Sequence, residues 1–225
     1  MTTASLHVNK LSAAKRQLKA AIRMHFQSED ELAVHTVAAA AYGLLKDIKK
    51  SRGMSEAADS YLTSIFYVVR DYRRGLLPTH MTSDPAFMKE VVRLAEALSP
   101  ITADSKLNEV RASIGPELER QYWNDTNRAA NFLKHADRDA GQALAIEAID
   151  NGLLLMKCFS AYQDVAPDDL GSEGIVFQAF ITANNDSYQM GSSSFDSLVA
   201  SMRKVPAEHR LQLCYKVVLE MNSNE

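Results

Sequence analysis

The sequence predicts an all-α protein, a bundle of about seven to nine helices forming a single domain over residues 1–225, with 165–225 as a candidate C-terminal helical extension. Glycine and proline are scarce, at 9 and 6 of 225 residues, whereas alanine, leucine and glutamate are plentiful. Such a composition favours long helices joined by short connections. Apolar residues also recur at helical spacing from residue 10 to residue 163, without the alternation typical of strands.

The first two helices are predicted from their apolar stripes. Residues 10–27 carry leucine, isoleucine and alanine on one side. The second helix begins at "SEDE", where Ser28 stands three residues before Glu31 as in a capping box. Its broad apolar stripe extends to Ile48 and contains a run of four alanines, so we expect a neighbouring helix to approach closely.

The next two helices are predicted from their end signals. Ser55 is the expected cap of a helix over 56–74, which Gly75 would stop. After a loop, Pro85 at a first helical position opens a fourth helix that reaches about Leu98.

The second half of the chain predicts further helices over 104–114, 117–136 and 139–163. The third of these, with "ALAIEAIDNGLLLMKCF", has an apolar face broad enough for a central core helix. The segment 175–183, "IVFQAFITA", contains β-branched and aromatic residues, but a lone strand lacks partners, so we interpret it as a buried helix. A polar loop and a final helix over 206–221 complete the prediction.

Charge and cysteine content restrict the class of protein. The net charge of −3 and the pI of about 6.1 disfavour non-specific nucleic-acid binding as the main role. Cys158 and Cys214 match no metal spacing, and Cys214 is expected to be a buried free thiol. Two lone cysteines and an N-terminus without an apolar signal segment predict a cytoplasmic protein. The longest apolar run, "TVAAAAYGLL", is too short to span a bilayer, so no membrane association is expected.

One polar row stands out, in the stretch "NRAANFLKHADRD" over 127–139. Arg128 and His135 are two helical turns apart, about 10 Å along the axis, with Asn131 between them and Asp139 beyond if the helix continues. The row borders the apolar face that includes Phe132, so its residues are expected to be half-buried. Half-buried polar groups have shifted pKa values and fixed geometry, which catalysis requires.

Arg-x6-His on a late helix of an α bundle resembles the signature of HEPN domains. The resemblance implies a dimer in which two such motifs face each other and cut RNA without a metal. It implies that Arg128 holds the scissile phosphate and that His135 exchanges protons with the attacking 2′-hydroxyl or the leaving oxygen. Histidine and arginine suit these roles, as a base or acid near neutral pH and as a planar phosphate ligand. Ala129 departs from the family, whose arginine is commonly followed by a polar residue. The alternative interpretation is that Arg128, Asn131 and His135 form a solvated or interhelical polar row.

A metal site is a second alternative, since "HADRD" offers His135, Asp137 and Asp139. Within one helix Asp137 points away from His135, so the chain would have to leave the helix at His135, and His25 or His35 would have to complete the site. The spacing matches no recognised motif, so neither a metal nor a cofactor is expected.

Two histidines and two basic clusters have structural interpretations. His25 shares an apolar face and is interpreted as a hydrogen-bonded core residue, while His35 flanks the second helix and would meet either another helix or water. The basic residues of 46–52 and 70–74 lie where cations complement a helix dipole, and the alternative is a positive rim that guides RNA toward Arg128.

These observations favour a soluble α-helical binding or association protein that forms a homo-oligomer. The alternatives are a HEPN-like, metal-independent ribonuclease with Arg128, Asn131 and His135 at its catalytic site, and a helical metal-binding protein. RNA is therefore a candidate partner, and the sequence leaves open whether the protein is an enzyme.

Overall fold

The computed structural model describes residues 7–54, 57–97, 101–106, 116–135, 141–166, 168–184 and 190–223. Its helices, in chain order, are α1 (Lys10–Phe26), α2 (Glu31–Ser51), α3 (Ala57–Arg74), α4 (Thr79–Thr82), α5 (Pro85–Ala97), α6 (Pro116–Lys134), α7 (Asn151–Val165), α8 (Ser172–Ala183), α9 (Ser194–Arg203) and α10 (Arg210–Ser223). Two short 3₁₀ helices, Ile146–Ala148 and Ala207–His209, precede α7 and α10. Within these ranges there is no strand, so the all-α prediction is confirmed.

The chain forms two compact units. The first combines Met1–Met54 with Asn127–Glu225, and the second is Ser55–Thr126. In the first unit α1 packs on α2 and α2 packs on α7, while α8 packs on α9 and α10. Both α8 and α10 also contact α1, so the segment 165–225 packs within the first unit. The single-domain organisation stays a prediction.

Small residues in the first unit let α2 and α7 approach closely. Ala38 and Ala41 of α2 are fully buried, as is Cys158 of α7. The Cys158 thiol donates a hydrogen bond to the Ala38 carbonyl at 3.3 Å, a contact that joins α2 to α7. Larger apolar side chains of α1 are also buried in this unit, among them Leu18 and Phe26, and each contributes about 1.5–3 kcal/mol by its burial.

The cap predicted for α2 is wrong. Asp30 caps the helix, and its carboxylate accepts hydrogen bonds from the backbone NH groups of Leu32 and Ala33 at 3.0 Å each. Ser28 instead lies in the turn after α1 with φ at 54°, a left-handed conformation incompatible with the extended backbone of an N-cap residue. The carboxylate also complements the positive end of the helix dipole.

Other boundaries differ from the prediction in the second half of the chain. The helix expected over 139–163 begins only at Asn151, because Asp150 caps it by accepting a hydrogen bond from the Leu153 NH at 2.8 Å. Residues 104–106 are not helical, and the remainder of the predicted 104–114 helix lies outside the described residues. Helix α9 was not predicted, whereas the buried helix over 175–183 is confirmed as part of α8.

The second unit contains α3, α4 and α5. Its core is formed by Ile65, Phe66, Val69, Ala95 and Ile101. Gly75 has φ at 66° and ends α3 as predicted, with its NH donating to the Tyr72 carbonyl at 3.0 Å. Among the helices of the described ranges, none is both long and apolar enough to cross a membrane.

Candidate functional site

The row predicted on the helix of residues 117–136 lies at the C-terminal end of α6. Arg128 and Asn131 are exposed, and His135 is half-buried directly after the last helical residue. The His135 NH donates to the Asn131 carbonyl at 3.0 Å, so helical geometry continues to His135 and the three side chains keep their predicted spacing. Asp137 and Asp139 lie outside the described residues.

The apolar border of this row is only partly buried. Ala129 is buried, while Phe132 and Leu133 are half-buried. Within the described part of the chain, no side-chain hydrogen bond or ion pair engages Arg128 or His135. The row therefore presents a cation, an amide and an imidazole whose hydrogen-bonding groups are available to a ligand.

The metal alternative depends on Asp137 and Asp139, which lie outside the described residues, so it stays a prediction. Among the described residues, no group of three histidine, cysteine, aspartate or glutamate side chains is arranged to hold an ion. His25 and His35, which would complete a site with His135, each have other neighbours.

His25 is half-buried against aromatic rings. Its ring centroid lies 6.2 Å from those of Phe26 and Phe180. Burial lowers the pKa of His25, and the charge of Asp150 partly opposes this effect. His25 therefore lies beside the core as predicted, but among the described residues its side chain contacts aromatic rings instead of making the predicted hydrogen bond.

His35 contacts another helix, one of the two outcomes that the sequence left open. Its side chain is buried, and its Nδ1 lies 3.2 Å from Oδ1 of Asn151, the first residue of α7. Burial lowers the pKa of His35; the hydrogen bond to Asn151 opposes this, and the charge of Lys134 adds to it.

A buried ion-pair cluster was missed by sequence analysis. Glu173, at the start of α8, is only 1% exposed and pairs with two cations of α1. Lys19 Nζ lies 2.9 Å from Oε2, and Arg23 donates to Oε1. Burial pushes the pKa of Glu173 upward, but hydrogen bonds from Lys19, its own backbone NH and Arg23 outweigh burial and lower the pKa. The Ser172 hydroxyl beside it donates to Asn222 of α10.

A second, more exposed pair lies one turn earlier on α1. Lys15 donates to one carboxylate oxygen of Asp168, and the Tyr162 hydroxyl donates to the other at 3.0 Å. The hydrogen bonds from Lys15 and Tyr162 lower the pKa of Asp168. Lys15, Lys19 and Arg23 thus form a cationic line on α1 that is neutralised by Asp168, before α8, and by Glu173, in the first turn of α8.

Several residues of the two predicted basic clusters connect their helix to a neighbouring segment. In the 46–52 cluster, Lys49 Nζ lies 2.5 Å from Asp164 Oδ2, and Arg52 donates to the Val165 carbonyl at 2.5 Å. These contacts fasten the end of α2 to the end of α7.

The 70–74 cluster behaves alike within the second unit. Arg73 donates to the Ala95 carbonyl at 2.7 Å, and Arg74 donates to the Ala103 carbonyl. Arg70 stacks over the Tyr67 ring at 4.7 Å. Contacts of this kind favour the structural interpretation of both clusters over a positive rim for RNA.

Both cysteines are buried free thiols, as predicted for Cys214. Burial raises the pKa of each thiol to about 12. A thiolate is the reactive form, so neither cysteine is suited to nucleophilic chemistry.

The second unit contains a small cavity of about 190 Å³. Its lining residues are Tyr72, Gly75, Leu77, Thr82 and Met88. Among the described residues, none of the lining side chains is charged, so this part of the lining offers mainly apolar contact.

Searches against protein-family models, curated proteins and solved structures found no match for this chain. The candidate functions therefore depend on the geometry of the chain itself.

Proposed function

We propose that the protein acts by association, and that its partner is a second copy of the same chain. The observation that carries this proposal is on α7. Leu153 and Met156 lie one turn apart with 43% and 41% of their surface exposed, while Leu155 and Cys158 on the other side are fully buried. Because a helix with apolar residues on all sides is normally covered on all sides, the outer side of α7 is the proposed contact.

The charged groups support association more than catalysis. Glu173 and Asp168 are each neutralised by a cation of α1, and His35 is hydrogen-bonded to Asn151. Such contacts join one helix to another. None of the residues that make them is among the described residues that line the cavity of the second unit.

Sedimentation of the purified protein at tens of micromolar, the order of magnitude of specific dimers, tests the proposal. We expect a dimer that Met156→Glu dissociates, because the new carboxylate would be desolvated in the contact. Leu219→Glu is the matched control, since Leu219 is also exposed, at 49%, but lies on α10. A monomeric wild-type protein, or equal dissociation by both variants, would rule out the α7 contact.

The second candidate function is a metal-independent ribonuclease of the kind that the HEPN resemblance implies. One observation favours it. Among the described residues, Arg128 and His135 make no side-chain hydrogen bond or ion pair, whereas Lys49 and Arg52 are engaged in contacts between helices. An uncommitted guanidinium suits a phosphodiester, and an uncommitted imidazole is able to accept the 2′-hydroxyl proton and later protonate the leaving oxygen.

RNA cleavage by the purified protein tests this candidate. Attack of the 2′-hydroxyl on the adjacent phosphorus expels the 5′-oxygen, so the product should carry a 2′,3′-cyclic phosphate, and a chelator should have no effect. His135→Ala should abolish cleavage and leave the melting temperature nearly unchanged, and Arg128→Lys should also fail because a point charge does not reproduce the planar fork.

His209→Ala is the control for general loss of a histidine, since His209 is exposed on a 3₁₀ turn. A folded wild-type protein that leaves both single-stranded and structured RNA uncut would exclude the ribonuclease.

A further inference from the structure

The contact between α2 and the first residue of α7 contains a buried histidine. His35 is 6% exposed, and its Nδ1 lies 3.2 Å from Asn151 Oδ1. Asn151 is itself buried, and its Nδ2 donates to the Glu31 carbonyl at 3.0 Å. The asparagine thus joins the start of α7 to two points on the first turns of α2.

These two contacts fix the position of the proton on His35. Because the amide nitrogen of Asn151 is used by the Glu31 carbonyl, the atom facing His35 is an oxygen, which only accepts. His35 Nδ1 must therefore carry the hydrogen and donate it. The basic nitrogen is Nε2, so any further proton adds a positive charge at Nε2 within a buried site.

Among the groups that act on His35, the Asn151 oxygen favours that charge through its hydrogen bond, but burial outweighs this effect. From α7 it is faced by the neutral Asn151, and from α6 the positive charge of Lys134 acts on it. Of the charged residues in the described ranges of α1, α2 and α7, none contributes to its pKa, and Asp150 acts instead on His25 and Lys157. A charged His35 would therefore be both poorly solvated and repelled by a neighbouring cation.

We propose that the His35–Asn151 contact is an acid-sensitive latch, in which protonation of His35 releases the first turns of α7 from α2. The contact between α8 and α1 is formed by other residues. The contact of α8 with α1 is held by Glu173, which stays ionised because its pKa is lowered.

The direction of the pH effect follows from the lowered pKa of His35. Above its ordinary pKa of about 6.5 the imidazole is neutral in both the closed and the open state, so the latch is fully stable. As the pH falls below 6.5, His35 is protonated in the open state but stays neutral in the closed state. The closed state therefore loses stability relative to the open state until the pH reaches the lower pKa that His35 has in the closed state. At pH 5.5 the opening equilibrium is expected to increase by up to about tenfold.

Hydrogen exchange of the full chain at pH 7.5 and pH 5.5, corrected for the intrinsic pH dependence of exchange, measures this opening. We expect amides of 154–158 in α7 to lose up to about tenfold protection at pH 5.5, while amides of 214–218 in α10 keep theirs. Unchanged protection in α7, or an equal loss in α10, would overturn the latch.

Two variants assign the effect to one histidine. His35→Gln keeps an NH donor toward Asn151 but does not titrate, so the acid-induced loss of protection should disappear. His25→Gln is the matched control, because burial also lowers the pKa of His25, and it should keep the acid response. Loss of the response in His25→Gln alone would refute the proposal.

A proton NMR titration of the wild-type histidine rings serves if His35→Gln fails to fold. We expect the His35 ring to titrate below pH 6.5, and titration at or above pH 6.5 would overturn the latch.

Discussion

Replacement of Glu173 by glutamine is expected to destabilise the first unit strongly. The substitution keeps the shape of the side chain but removes the negative charge that Lys19 and Arg23 share. The carboxylate is 1% exposed, so water does not replace the lost interaction at its own site.

The magnitude follows from the exposure of the two cations. Removal of one partner of a buried ion pair costs about 3–5 kcal/mol, because the other charge is left buried and uncompensated. Lys19 and Arg23 retain 29% and 38% side-chain exposure, so both have partial access to water after the substitution. We therefore expect a loss of about 2–3 kcal/mol, below or at the lower end of that range. In a chain of this length the loss lowers the melting temperature by about 4–12 °C.

Urea unfolding followed by far-ultraviolet circular dichroism measures this free energy. Asp168→Asn is the matched control, because it removes another carboxylate paired with a lysine of α1 but at an exposed position, and its effect should be much smaller. The loss from Glu173→Gln should also shrink in a Lys19→Met background. Equal effects of the two carboxylate substitutions would refute the argument from burial.

Three further predictions concern single residues. Cys158 and Cys214 should resist a thiol reagent at pH 8 in the native protein and react once urea unfolds it, because burial raises both pKa values to about 12. Gly171→Ala should lower the free energy of unfolding in urea by about 1–3 kcal/mol, because the backbone conformation of Gly171, φ 66° with ψ −150°, is accessible essentially only to glycine. Gly75→Ala should lower it by less, and the reverse order would contradict this explanation. Asp150→Ala should cost about 1 kcal/mol by the same measurement, because it removes the cap of α7, and an unchanged stability would show that the cap is dispensable.

Local sequence signals predicted most of the helices but not all of their ends. Gly75 and Pro85 mark a helix end and a helix start because each acts on its own backbone. The predicted start of the 139–163 helix was wrong because the apolar spacing continues upstream of Asp150, whereas the Asp150 carboxylate caps a helix that begins at Asn151. Ile146 is exposed, so its apolar character there does not report a core position.

The contacts between distant residues were beyond the reach of local patterns. The spacing of Arg128, Asn131 and His135 was predicted, because it depends only on helical geometry, but their exposure depends on which elements pack beside α6. Glu173 lies in the first turn of an apolar helix and resembles an ordinary first-turn acid, and its partner Arg23 is 150 residues away. Similarly, His35 meets Asn151 across 116 residues, so only the tertiary fold resolves its two interpretations.

The first unit is assembled from both ends of the chain, which has a consequence during synthesis on the ribosome. Helices α1 and α2 are complete by Ser51, whereas α7 is complete only at Val165. The 114 residues after Ser51, up to Val165, take about 6–23 seconds to synthesise at about 5–20 residues per second. For that time α2 has no α7 to pack against. During that interval the backbone of Ala38 lacks its contact with Cys158 and this side of α2 is uncovered, so the nascent chain is exposed to aggregation, and to capture by chaperones, until α7 is made.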